Sequence, residues 1–146
     1  MGEKKIVQKI VLGAVVVSGS KALILQRHEN ESVYPGMWEL PSGKKDNLEP
    51  SMSALLREVK EEAGLDVEPV APISVFDYQI EKPDEIRDSV QINFLARPKG
   101  SPTVALSSEH QAFAWITADE LDGYPVTDAT RGVLKKAFEL AKLYAI

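Results

Sequence analysis

Three glutamates, Glu58, Glu61 and Glu62, stand in one short segment whose apolar residues recur every three or four positions. Wound as a helix at roughly 100° per residue, Ser51 to Leu65 carries Met52, Leu55, Leu56, Val59 and Ala63 on one stripe, the pattern of a face buried against a sheet. The three acids share the neighbouring arc, with no Lys or Arg among them. Like charges at this spacing repel by about 0.2–0.5 kcal/mol per pair. A divalent cation would relieve that repulsion, and all-oxygen ligation selects hard ions such as Mg²⁺, Mn²⁺ or Ca²⁺. Taken alone, the helix leaves two readings open: an ion site at the edge of the core, and a solvated acidic surface that binds nothing.

The elements that must hold these acids are legible around them. Val11 to Val17 reads as a buried strand, Ser18-Gly19-Ser20-Lys21 as a turn, and Ala22 to Gln26 as its hairpin partner. His28 to Tyr34 is loop-like, and Pro35 to Gly43 is a short extended piece between turn residues. Pro50 suits the first turn of the acidic helix, and Gly64 stands where a helix stops. Strands follow near Ile73 to Ile80 and Val90 to Ala96, the second entered through a charged loop from Glu81 to Asp88. Phe113 to Ile116 is a shorter strand and Ala118 to Leu121 one helical turn. An amphipathic helix closes the chain from Asp128 to about Tyr144, with Val133, Leu134, Ala137, Leu140 and Ala141 on one face. Hairpin strands with two separated helices imply an α/β sandwich around a mixed sheet.

Composition bounds the chemistry. With 146 residues, the chain is expected to form one domain over 1–146 and to bury about two thirds of its unfolded surface. Hydrophobic residues make up 44% and charged residues 27%, which excludes a disordered tail or a membrane bundle. The absence of cysteine removes disulfides, thiolate metal sites and cysteine nucleophiles. A net charge of -5 argues against a dedicated nucleic-acid binder. Lys4, Lys5 and Lys9 ahead of Ile10 to Val17 loosely mimic a signal peptide, but the run is β-branched, too short to span a bilayer, and turns into a second strand. A cytoplasmic protein without a membrane partner is expected.

The whole segment reads Gly43, five residues, Glu49, seven residues, then Arg57-Glu58-Val59-Lys60-Glu61-Glu62-Ala63-Gly64-Leu65. It resembles the Nudix box, G-x5-E-x7-R-E-U-x-E-E-x-G-U with U aliphatic, at every defined position, and the lead-in Trp38-Glu39-Leu40-Pro41 is similar to that family as well. The resemblance implies the Nudix α/β/α sandwich, a mixed β-sheet between helices. It also implies a MutT-like hydrolase that cleaves a nucleoside diphosphate linked to X, with water attacking a phosphorus of the bridge and Mg²⁺ (or Mn²⁺) neutralising phosphoryl charge.

Carried over by position, Glu58, Glu61 and Glu62 resemble the metal ligands, joined by the backbone carbonyl of Ser42. Arg57 would orient acidic side chains, with pairing to Glu61 on the surface as its plainer role. Glu49 would brace the loop or sit outside the ion's direct ligands, Gly43 would give the loop its turn, and Gly64 would end the helix. Many members have Gly-Gly where this chain has Ser42-Gly43; were positive φ needed at the first, Ser would be strained there. Glu109, in the loop ahead of the strand bearing Trp115, resembles a further carboxylate that serves as metal ligand or general base; a solvated loop glutamate is the alternative. His110 is read as structural or exposed.

Arg27 and Lys44 are candidate holders of substrate phosphates, whereas Arg87 is expected to be solvated. Asp128, beside Thr127 at the start of the last helix, is a candidate base reader, although each is more simply an N-cap. Trp38 and Trp115 are expected in packing; Phe76 and Tyr78 fit the X pocket and the core equally. The compact length favours a nucleoside triphosphate, standard or modified; ADP-ribose and dinucleoside-polyphosphate hydrolases share the same box. Many members are dimers, so a homodimer is allowed. A non-catalytic nucleotide-binding Nudix module typically loses box acids, all present here, and the isopentenyl-diphosphate isomerase type needs a cysteine.

Overall fold

The computed structural model describes residues 2–146; Met1, the first residue of the expected domain, lies outside them. Seven strands and two helices form, in the order β1 (Lys5–Ser18), β2 (Lys21–Arg27), β3 (Trp38–Glu39), β4 (Ser42–Lys44), α1 (Ser51–Ala63), β5 (Val67–Glu81), β6 (Glu85–Pro98), β7 (His110–Ile116) and α2 (Asp128–Leu143), with a 3-10 turn at Ala118–Gly123. The strand path β3-β2-β1-β6-β5 is extended by β4 on β1 and β7 on β2. β1 and β6 run parallel over Lys5↔Glu85 to Val16↔Ala96, and the other pairings are antiparallel, so the sheet is mixed as expected.

β1 reads as a continuous apolar run because both of its faces are covered. Leu12, Ala14 and Val16 pack with Leu55, Val59 and Ala63 of α1. Val15 and Val17 pack on the opposite side with Val133, Leu134, Ala137 and Ala141 of α2. The layers are therefore α1, sheet and α2. Burying a side chain such as Leu55 completely contributes about 1.5–3 kcal/mol, so the stripe on α1 suffices to fix which way the helix faces.

Several local expectations are corrected. Pro50 caps α1 from outside, in extended conformation at φ -61 and ψ 139, instead of occupying its first turn. The buried stripe includes Ala54, while Met52 is exposed, because it lies at the open first turn of α1. The charged loop shrinks to a turn closed by Lys82 N–H on Glu85 O at 2.8 Å, and Glu85 to Asp88 belong to β6. Pairing with β1 overrides their polar composition. No helix among the described residues is long and apolar enough to cross a membrane.

Candidate active site

α1 is held at its C-terminal end and at its middle by contacts that also build the site. The residue that caps its C-terminus, Gly64, adopts the left-handed conformation at φ 71 and donates to Lys60 O at 2.9 Å. The carbonyls of Glu62 and Ala63, left over at the helix end, accept from Ser107 N at 3.0 Å and Ala105 N at 2.8 Å. A Cβ on Gly64 would lie 2.7 Å from that of Ala105. The end of the helix thus seats the very loop that carries Glu109.

The middle of the helix is tied by Arg57. Its Nε and Nη2 donate to the two oxygens of Glu49 at 2.8 and 2.9 Å, Nη2 also reaches Lys44 O at 3.1 Å, and Nη1 donates to Glu58 Oε1 at 2.8 Å and to Glu61 at 3.3 Å. Glu49 also accepts from Asp46 N at 3.0 Å. The Arg57 bonds and the Asp46 N–H hold the Glu49 carboxyl down at about 2. Arg57 is held still more firmly protonated, first by Glu49 and then by Glu58.

Glu58 and Glu62 turn inward. Gly43 belongs to β4 and supplies no turn: a Cβ there would lie 2.0 Å from the Glu58 carboxyl carbon, so glycine is required by the close approach of that carboxylate. Ser42 lies outside the left-handed region, so serine carries no strain at this position. Its N–H donates to Glu62 Oε1 at 2.7 Å. Glu62 is only 5% exposed. Burial, with Glu39, Glu58 and Glu109 nearby, pushes its carboxyl up to about 9. Burial also raises Glu58.

These side chains form one wall of a cleft of about 860 Å³, a volume suited to a small molecule. Glu58, Glu62 and Glu109 line it, with Ser42, Gly43, Lys44 and Arg27. Glu61 does not; it is exposed and faces Arg57. Asp128 is exposed and stands outside the lining, where Thr127, Ala129 and Thr130 stand instead; Thr127 caps α2 by accepting from Thr130 N at 3.2 Å. Arg27 is committed to Val33 O at 2.9 Å and lies 3.4 Å from Glu39. Phe76 and Tyr78 line the cleft together with Trp38, which meets Tyr124 edge-on at 5.0 Å.

Three lining residues lacked a local signal. Glu39 joins the acids from β3, and its Oε2 pairs with His110 Nε2 at 2.8 Å. His110 is buried, 3.8 Å from Glu62, with no partner for Nδ1 among the described residues. Arg87, expected in solvent, sits 22% exposed in the cleft wall. Only long-range pairing, of β3 and β7 with β2 and of β6 with β1 and β5, brings them in, and no local pattern in the sequence marks it.

An all-oxygen donor set suits a hard divalent ion chemically. Among the described residues, however, no three carboxylate or imidazole groups are drawn together to hold one. An ion using Glu58, Glu61 and Glu62 together requires side-chain rotation, first of Glu61 away from Arg57.

A mixed sheet between two helices, with a glutamate-walled cleft at the edge of one helix, defines the class to which the comparisons also assign it. The NUDIX domain model matches residues 8–137, and the chain belongs to that family of hydrolases acting on phosphoric anhydrides. It is 32% identical over 129 residues to a Mycobacterium tuberculosis protein provisionally named 8-oxo-dGTP diphosphatase 2, covering 85% of this chain and 84% of that one. It is 27% identical to the nucleoside triphosphatase NudI of Klebsiella pneumoniae, covering 88% and 96%. The crystal structure of a MutT NUDIX hydrolase from Burkholderia pseudomallei superposes with a TM-score of 0.73 at 32% identity, covering 88% of this chain and 97% of that one.

Proposed function

We propose that this Nudix hydrolase is a divalent-cation-dependent pyrophosphohydrolase whose substrate is a nucleoside triphosphate, standard or modified. The observation that carries this reading is the gathering of Glu39, Glu58 and Glu109 around Glu62 in the lining of a cleft that also presents cations and aromatic side chains. The relatives named for triphosphate substrates support it.

In this reading Glu58, Glu61, Glu62 and the Ser42 carbonyl hold the ion, which when bound neutralises phosphoryl charge and lowers the pKa of a bound water. Arg57 fixes the direction of Glu58, and Gly43 gives that carboxylate its room. Glu109, the most exposed acid of the wall, takes the proton of the attacking water. Arg27 and Lys44 face the phosphates. The nucleotide is the partner, the working unit is the single domain, alone or as a homodimer, and the compartment is the cytoplasm.

The test is a substrate screen with Mg²⁺ and Mn²⁺ at slightly alkaline pH, covering standard and oxidised dNTPs, ADP-ribose, dinucleoside polyphosphates and sugar nucleotides. Release of a nucleoside monophosphate and pyrophosphate from a triphosphate is expected. Glu61→Gln and Glu62→Gln should each slow it by orders of magnitude while the fold stays intact. Turnover confined to ADP-ribose, or none with either metal, would overturn the reading.

A further inference from the structure

Cations come together along the part of the cleft lined by β4, β6 and the β5–β6 turn. Strand alternation sends Lys44, Val11 and Gln91 to one face, since Val11 pairs with both of the others. Arg87, four residues before Gln91 on β6, shares that face, as does its partner across the sheet, Ile80. Lys82 follows Ile80 by two residues, and Lys44, Ile80, Lys82, Arg87 and Gln91 all line the cleft.

These charges are hardly neutralised. Among the described residues Lys9, Lys44 and Lys82 form no ion pair, while Arg87 has only Glu85, at 3.9 Å. The Arg87 Nε is buried without a hydrogen-bond acceptor. In a protein of net charge -5, cations gathered with Glu85 as their one ionic partner, and with the buried Arg87 Nε unbonded, favour an anion among them.

We infer that Lys44, Lys82 and Arg87 form a subsite for the phosphates distal to the nucleoside, so that the cleft selects a polyphosphate tail. Lys82 and Arg87 are its specificity-determining members. The inference rests on the hydrolase reading above and narrows it: nucleoside triphosphates and dinucleoside polyphosphates carry such a tail, whereas ADP-ribose places a sugar beyond its second phosphate.

Two measurements on the full chain test it. In the first, inorganic tripolyphosphate is titrated calorimetrically in the presence of EDTA, so that no divalent ion contributes. Saturable binding is expected, weakened about tenfold by Arg87→Gln and by Lys82→Gln, each removing one charged hydrogen-bond donor. Arg87→Lys should retain most of the affinity, and Lys135→Gln with Lys136→Gln, on the exposed side of α2, should match the parent. Lys82 lies in a turn, so its variant keeps the test open if Arg87→Gln fails to fold. In the second, KM is compared for a triphosphate, a dinucleoside tetraphosphate and ADP-ribose. Arg87→Gln should raise the first two about tenfold relative to the third, with most of the change in KM and little in kcat.

No binding of tripolyphosphate by the parent, equal binding by both Gln variants, or equal KM losses on all three substrates would overturn the subsite. If no nucleotide is turned over, the hydrolase reading falls, yet the titration still decides whether the cations hold a polyphosphate.

Discussion

At the scale of single residues, the decisive fact is that Glu62 is buried where its negative charge is costly. Its carboxyl, pushed up to about 9, keeps a proton in the folded chain at neutral pH, whereas the unfolded chain loses it near 4.5. Between those values the folded state binds more protons, so the contribution of Glu62 to stability falls as pH rises. Metal-free protein should therefore lose Tm from pH 5 to pH 9, and Glu62→Gln should flatten that slope; an unchanged slope in the variant would count against the assignment. An ion bound at Glu62 must displace the proton, so Mg²⁺ binding should release protons, measurable calorimetrically in buffers of different ionisation heat.

Gly43 offers a second residue-scale prediction. Its backbone suits any side chain, so Gly43→Ala should leave the fold intact and push the Glu58 carboxylate aside. A displacement of about 1 Å costs on the order of a hundredfold in rate. The loss should match that of Glu58→Gln, and the double variant should be no worse than either, because both act on one group. Additive losses in kcat/KM would show that Gly43 acts elsewhere.

At the scale of elements, α1 carries the site and is positioned from its middle, through Arg57, and from its C-terminal end. The positive φ of Gly64 and its contact with Ala105 join the helix end to the Glu109 loop. Gly64→Ala should destabilise the fold by about 1–2 kcal/mol, read from the urea midpoint, and should raise amide exchange at Ser107, whose N–H bonds Glu62 O. Wild-type exchange at Ser107 would separate the helix end from the loop. The acidic arc and the buried stripe of α1 were legible because helical period is local information. The reason for Gly43 was not, since a carboxylate pressing on a strand from a helix fifteen positions away leaves no mark on neighbouring residues. The charged stretch Glu85 to Asp88 misled for a similar reason: composition reads as loop, and only a parallel partner strand makes it sheet.

At the scale of the molecule, the sheet brings together what the chain keeps apart. Glu39 on β3 and His110 on β7 meet Glu62 of α1 across strands paired at long range, and Arg87 on β6 lines the same cleft, paired with Glu85. The Nudix box therefore showed where the acids of α1 are, while the lining residues that β3, β6 and β7 supply emerged only with the pairing. A ligand that binds only the folded state stabilises it by mass action, by about 2.7 kcal/mol at a concentration one hundred times its Kd. Mg²⁺ should accordingly raise the Tm of the parent, and EDTA should reverse the gain.

The most direct test of the central claim is calorimetric titration of Mg²⁺ into the metal-free chain, for the parent and for Glu58→Gln and Glu62→Gln. The account predicts saturable binding in the parent and its loss in both variants, with circular dichroism spectra unchanged. Equal binding by all three proteins, or none by the parent even with a nucleoside triphosphate present, would contradict it.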